Sequence, residues 1–540
     1  MRKYDRESNT RIWSGWRAIV IKVFMACFAV YCICMTLFST AMPEIRLPLF
    51  MGFIILAGFL NFPASKHHVR PNYLPWYDIL LMLVGAACFF YFARNAMTMI
   101  RLATRIQPIH VVIGCIGILL LLAAIFLRMP IGMAMLAVGT AGFAAISGTD
   151  AALGLLRGVP YETFANPTYA VVCLFLLMGN FAFKSGISDE LFACVNTWLG
   201  RLRGGLAIAT VAACGGFAAI CGSSVACAVT MGVVAFPEMR KFRYANTLAT
   251  GCIAAGGTLG ILIPPSTVMV LYGIITGQSI GDMFMAGFIP GLIQIALYMA
   301  GVRLWVKRRP ADGPAGQSRP MKDKLRSLTR VWSIVLLFSV VIGGLYLGVF
   351  SPNEAAGVGA FGALLIGLGR CRNRFAFLRD SLEDSVKTSG MCFMIVLGAM
   401  IFGYFLTVSR IPAELSSVIA GVVESPILVV SGVLLVMVIL GCFMDSMAIV
   451  LLTVPIFFPL IETYHIDPIW FGILVVRVTE IGLITPPVGL NLFVIKGVAN
   501  VPMASVFRGV VPFLCADALH IALLMAFPVL SLWLPGLAGN

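Results

Sequence analysis

GTLGILIPPST, residues 257–267, places two adjacent prolines inside an uninterrupted apolar run. Proline has no N–H to donate and its ring crowds the preceding turn, so a helix entering this stretch must stop there. The stretch recurs. TEIGLITPPVG, residues 479–489, lies over it with Pro264 and Pro265 on Pro486 and Pro487, an offset of 222 residues (486 − 264). The same offset carries, without a gap, Ser224 onto Ser446, Ala226 onto Ala448, Pro237 onto Pro459, Gly260 onto Gly482, Gly287 onto Gly509 and Pro290 onto Pro512. Other residues replace glycine and proline poorly in their backbone roles, so the two halves read as one ancestral unit used twice.

Around this pair the chain is overwhelmingly apolar. Of its 540 residues 60% are hydrophobic and 11% charged, with a mean hydropathy of +0.98, outside the range of soluble globular proteins. The apolar runs are continuous rather than alternating, which predicts helices and excludes barrel strands. The expected fold is all-α: a polytopic transmembrane bundle with inverted structural repeats, re-entrant hairpins and discontinuous helices. The net charge of +15 sits in short loops between apolar runs, where the positive-inside rule explains it without a nucleic-acid partner. The fifteen cysteines lie almost entirely in apolar runs with no CxxC pair, as small packing residues do. The five histidines include only one adjacent pair, His67 and His68, so no metal cluster is expected.

Taken in order, residues 1–108 hold three predicted spans, 18–41, 46–63 and 76–97. The first follows Arg2, Lys3, Arg6, Arg11 and Arg17 and lacks a small-residue cleavage site, so it reads as an uncleaved signal anchor with a cytoplasmic N-terminus. The first repeat covers 109–310, a basic cytoplasmic linker 311–330, and the second repeat 331–540. Within the first repeat, residues 205–237 form a charge-free run of 33 residues. As one helix it would reach about 50 Å at 1.5 Å per residue, so it must bend back or break, and ICGSSVA (220–226) is where the turn is expected. The run 244–281 contains the Pro264-Pro265 pair and must be discontinuous for the same reason. The second repeat offers a span near 386–408, a hairpin-like region at 427–461 and a broken run at 469–499. Where the first copy has Gly222, Ser223 and Ser224, the second has Met444, Asp445 and Ser446, which puts a carboxylate inside an apolar run. An intramembrane acid is costly and is by default functional.

An interrupted helix at membrane depth survives only inside protein or along a wet cavity. The prolines free the carbonyls of Gly260, Ile261 and Leu262 in one copy, and of Gly482, Leu483 and Ile484 in the other, where Thr485 adds a hydroxyl. Those oxygens suit a small hard cation, while the positive end of the half-helix that follows suits a carboxylate. A single Pro-Pro pair is more often only a kink. Two copies, each with a small-polar hairpin upstream, fit the repeat-transporter pattern. GVGAFG (357–362) matches GxGxxG but lies inside a span, as close helix packing does. No GxxxxGK[ST] or HExxH occurs, and the chain is not expected to be an enzyme. Glu480 and Arg477, three apart on one helix face, suit a structural ion pair as well as a substrate contact.

The segments ICGSSVACAVTMGVVAFPEM, GGTLGILIPPSTVMVLYGIITGQSIGDMFMAGFIPG, SPNEAAGVGA and FGILVVRVTEIGLITPPVGLNLFVIKGVA resemble the large membrane subunit of tripartite ATP-independent periplasmic (TRAP) transporters. The resemblance runs from about His110 to the C-terminus, and residues 1–108 resemble the family's small membrane subunit fused in front. It implies sodium-driven uptake of an organic acid, usually a carboxylate, across the bacterial inner membrane. It also implies a periplasmic substrate-binding protein as partner and an elevator mechanism. Sodium, the coupling ion, is then expected at Ser224, Gly260, Ile263 and Pro265, and again at Gly441, Gly482 and Thr485. Substrate is expected at Ser223, Ser266, Thr267, Asp445, Ser446 and Asn491. Cys221 stands where the family often has serine, which weakens a ligand role there. An organic-anion carrier or exchanger working without a binding protein is the alternative. A membrane-embedded enzyme is the remote one, since it needs a cluster of charged residues that the sequence does not show.

Overall fold

In each copy the helix that meets the prolines ends there and a new one begins within a few residues. The computed structural model describes residues 108–127, 129–316 and 319–538. The small-subunit-like region, with its three spans and signal anchor, lies outside them. Among the described residues there is no strand, and seven helices are long and apolar enough to cross a membrane. Met321–Leu328 and Trp332–Tyr346, bent by 44° at their join, make an eighth if taken as one span. His110–Ser416 and Ser425–Asn540 cluster as one compact unit, to which the description below is confined.

Both overlong runs are discontinuous, as their length requires. The first folds into a hairpin, Gly205–Cys221 and Ser224–Lys241, turned at Gly222 with φ +62°, a left-handed conformation that glycine adopts without a Cβ penalty. Asn246–Gly257 and Leu259–Leu262 then carry the chain to the prolines, and Thr267–Thr276 leads it away. The second copy repeats the pattern with the hairpin Pro426–Gly441 and Ser446–Thr463 and the broken pair Pro468–Ile484 and Leu490–Ala499. Pro264-Pro265 and Pro486-Pro487 are both cis.

The copies interlock by exchange. The second arm of each hairpin packs on the half-helix that follows the other copy's prolines: Ser224–Lys241 on Leu490–Ala499, and Ser446–Thr463 on Thr267–Thr276. The outer helices do the same. Ile131–Ser147 lies along Arg374–Val408, while Pro352–Arg370, its equivalent at the 222-residue offset, lies along Ala170–Lys184. Glycines let these backbones approach, and a Cβ on Gly132 would stand 2.6 Å from Met394 O. Lys184 pairs with Asp384 at 2.7 Å and Asn180 donates to Ser385 Oγ at 2.8 Å across the same frame. Cys214, Cys227 and Cys252 pack in the core beside Phe217 and Leu248, as small apolar residues.

Three helices differ from the apolar-run reading. Thr149–Ala165 and Ile187–Leu199 carry Asp150, Arg157, Glu162, Asp189 and Glu190, so a search for uncharged runs passes over them. Arg374–Val408 begins well before the expected span, because Asn373 caps it by accepting from Ala376 N–H at 3.1 Å. SPNE opens Pro352–Arg370 with a capping box: Glu354 N–H donates to Ser351 Oγ, and Ser351 N–H to Glu354 Oε2. Two of the GxGxxG glycines of that helix serve packing, for a Cβ on Gly359 would stand 2.5 Å from Met178 Sδ and one on Gly362 3.0 Å from Leu337 Cδ1, whereas Gly357 faces open space.

Candidate functional site

Glu480 projects from the second broken helix and is fully buried. Its Oε2 accepts a hydrogen bond from Ser224 Oγ and its Oε1 accepts one from Ser446 Oγ at 2.8 Å. The two serines are repeat equivalents, each the first residue of the second arm of its hairpin. A single carboxylate therefore holds the tips of both hairpins together. The residues before the serines cap those arms: Ser223 accepts from Ala226 N–H at 3.5 Å and Asp445 from Met447 N–H at 3.3 Å.

Backbone contacts join the breaks to the same place. Gly260 lies against the first tip, where a Cβ would stand 2.8 Å from Ser223 O, and a Cβ on Gly441 would stand 2.9 Å from Gly482 Cα. Thr267 Oγ1 donates to Gly222 O at 3.0 Å, and Gly489 N–H donates to Cys442 O at 3.1 Å. Each break is thus stitched to the hairpin of its own copy. Gly482→Ala is expected to push the second tip off its seat and lower uptake at least about fivefold, since overpacking at a backbone contact costs about 1–3 kcal/mol. Uptake in proteoliposomes at matched protein density checks this, and wild-type rates would remove the contact from the working site.

The structure gathers most of the residues expected to hold cations. Ser224 and Gly260 meet at the first tip, and Pro265 O faces Gly222 there. Ile263 instead packs against Gly291, so only its backbone is placed to contribute. Gly441 and Gly482 touch at the second tip, with Thr485 half-buried beside them. One expectation needs correcting: Gly482 O is not wholly freed by the prolines, because it accepts from Thr485 N–H at 3.1 Å. A carbonyl has two lone pairs, so one remains. Thr485 Oγ1 donates to Ile481 O at 2.6 Å and keeps its acceptor side.

Of the residues expected to meet substrate, Ser266 caps Thr267–Thr276 by accepting from Met269 N–H at 3.3 Å. Ser446 is engaged by Glu480, and Thr267 by the first tip. Ser223 and Asp445 are half-buried at the tips. Asn491, in the first turn after the second break, is fully buried with neither amide atom hydrogen-bonded. The breaks are not equally covered: Pro264 and Pro265 are buried, whereas Pro486 and Pro487 are exposed.

Arg477 does not pair with Glu480. Its Nη2 donates to Asp517 Oδ1, with both residues fully buried, and to Tyr298 Oη at 3.3 Å. Gln294 Nε2 donates to the same Asp517 oxygen at 2.8 Å, and Tyr298 Oη lies 3.1 Å from Thr258 Oγ1. This network joins both broken helices to the helix that follows each, Ile280–Arg308 and Met503–Ala526. The sequence reading missed Glu480 as the centre and Asp517 altogether. The signal was the one that singled out Asp445, an acid within an apolar run.

Four half-helix starts, at Ser224, Thr267, Ser446 and Leu490, are tied to one locus beside the carboxylates of Glu480 and Asp445. The helix starts present positive ends that favour an anion, and the carboxylates with the break carbonyls favour cations. A site that wants both charges suits an anion taken up with cations. The family model of the tripartite ATP-independent periplasmic transporter, DctM component, matches residues 118–530. The chain belongs to that family. It is a multi-pass protein of the inner membrane, and the relatives it matches are transporters. It is 37% identical over 380 residues to the C4-dicarboxylate TRAP transporter large permease protein DctM of Pseudomonas aeruginosa, covering 70% of this chain and 88% of that one. It is 27% identical over 509 residues to the sialic acid TRAP transporter permease protein SiaT of Haemophilus influenzae, covering 92% of this chain and 79% of that one. Among solved structures, the antimetabolite efflux pump MtrF of Neisseria gonorrhoeae shares the fold, with a TM-score of 0.52 at 14% identity over 72% of this chain and 85% of that one.

Proposed function

We propose that the chain imports a small organic acid, coupled to sodium moving down its gradient, with the substrate delivered by a periplasmic binding protein. The hairpins and broken helices form the moving core of an elevator. The frame made by Ile131–Ser147, Ala170–Lys184, Pro352–Arg370 and Arg374–Val408, locked by backbone-close glycines, is the part it slides against.

The observation that carries this reading is Glu480 bonded to Ser224 and Ser446 at once. Helix C-terminal ends and unwound carbonyls suit sodium, and half-helix N-termini suit a substrate carboxylate. Both kinds of end meet around that carboxylate. The names of the relatives, C4-dicarboxylate and sialic acid, belong to carboxylates, which is the substrate class assigned here.

Purified chain in proteoliposomes, with its cognate binding protein, is expected to take up substrate only when a sodium gradient and the binding protein are both supplied. Uptake that ignores sodium overturns the reading, and uptake that ignores the binding protein replaces it with a free-standing carrier. Thr485→Val removes one oxygen and is expected to raise the sodium concentration for half-maximal uptake about three- to tenfold, the worth of one ~1 kcal/mol polar interaction. An unchanged sodium curve removes Thr485 from the site.

A further inference from the structure

Away from the hairpin tips, a cleft of about 390 Å³ opens among the loops and the linker, lined by Arg319, Arg326, Arg330, Asn196, Thr197 and Asp323 among others. We propose that it is the headgroup site of an anionic phospholipid, whose acyl chains lie along the apolar face of Met321–Leu328.

The cleft is built rather than incidental. Gly316 N–H donates to Gly200 O at 3.0 Å, Gly204 N–H to Gly313 O at 2.9 Å, and Tyr244 Oη to Pro314 O at 2.9 Å. These bonds pin the linker against the loops between helices and hold one wall. Ser327 holds the other, where Cys194 Sγ approaches its Oγ at 3.4 Å. The cleft's volume is in the range of sites for small organic ligands, enough for a headgroup but not for acyl chains.

Its charge selects the headgroup. Among the described residues, none of the three arginines forms an ion pair, and Asp323, the acid on the lining, pairs with none of them. Their guanidinium groups are free to bind phosphate oxygens in bidentate fashion. Positive charge in this linker marks the cytoplasmic side, whose leaflet carries the anionic lipids.

A free phosphate ion would satisfy the arginines equally, and the apolar face decides between them. Met321, Leu325 and Leu328 are 62%, 57% and 47% exposed at helical spacing, and Trp332, 57% exposed, continues the stripe into the next span. Arg326 and Arg330 line the cleft from the same segment, and Lys324 sits 5.7 Å over the Trp198 ring. A helix basic beside a cleft and apolar outward is arranged to lie in a membrane interface.

The test uses the full chain in nanodiscs of phosphatidylcholine with a minor fraction of phosphatidylglycerol, reading co-purified lipid by native mass spectrometry and thermal stability in parallel. The wild type is expected to retain phosphatidylglycerol at least about tenfold over its share, and R326Q/R330Q to lose roughly thirtyfold in that preference. Asp323→Asn, which removes the opposing charge, is expected to raise it a few-fold, while Lys307→Gln, outside the cleft, leaves it unchanged. Equal retention of the two lipids, or an unchanged preference in R326Q/R330Q, overturns the proposal. Inorganic phosphate stabilising delipidated protein as strongly as phosphatidylglycerol assigns the cleft to a soluble anion and overturns it too.

Discussion

Glu480→Gln is expected to raise the sodium concentration needed for half-maximal uptake by roughly fivefold to several hundredfold, with expression and folding retained. Glutamine keeps the shape of the side chain. It accepts from one serine through Oε1 and meets the other hydroxyl through Nε2, so the tips stay together and only the charge is lost. Hydrogen bonds to a charged group are worth about 1.5–3 kcal/mol against about 1 kcal/mol for neutral ones. Two such bonds at Ser224 and Ser446 give a loss of about 1–4 kcal/mol, at 1.4 kcal/mol per factor of ten. Ser224→Ala and Ser446→Ala separate position from charge. Each is expected to cost less alone and nearly nothing further in the Glu480→Gln background, because partners in one network are not additive. Sodium titrations of uptake read the wild type, the three single variants and the two doubles, and a wild-type curve for Glu480→Gln would end the case for this carboxylate at the centre.

The largest stability effect is expected at Arg477. Arg477→Met leaves the fully buried Asp517 carboxylate with only the neutral Gln294 and Tyr298 against it, and breaking a buried pair from one side costs about 3–5 kcal/mol. Replacing both partners, R477M/D517L, is expected to recover most of that loss, since a well-packed apolar pair is often as stable as the ion pair it replaces. Unfolding midpoints at one fixed scan rate, in one detergent, compare the three proteins. A double variant no better than the single one would show that the cost comes from packing around Arg477 and not from the abandoned charge.

Residues with a dictating backbone chemistry were the readable ones. Two Pro-Pro pairs at one offset announced the breaks, and run lengths beyond the bilayer announced the hairpins. Long-range partnership was not readable. Ser224 reaches Glu480 across 256 positions, and nothing local to either residue names the other. Arg477 shows how local spacing misleads: Glu480, three positions on, shares its helix face, yet Asp517 on another helix takes the guanidinium. The helices bearing Asp150 or Asp189 were hidden by their charges, and Arg374–Val408 was cut short because its polar turns look like loop.

The crossed pairing of Ile131–Ser147 with Arg374–Val408, and of Pro352–Arg370 with Ala170–Lys184, makes the two halves reciprocal. A face that meets its own counterpart's neighbour across a two-fold relation is what a symmetric dimer presents at its interface. The interior of this chain therefore has the form of a contact between equivalent partners, with one chain supplying both sides. Each half carries surfaces that the other half covers, so parting them would bare both at once.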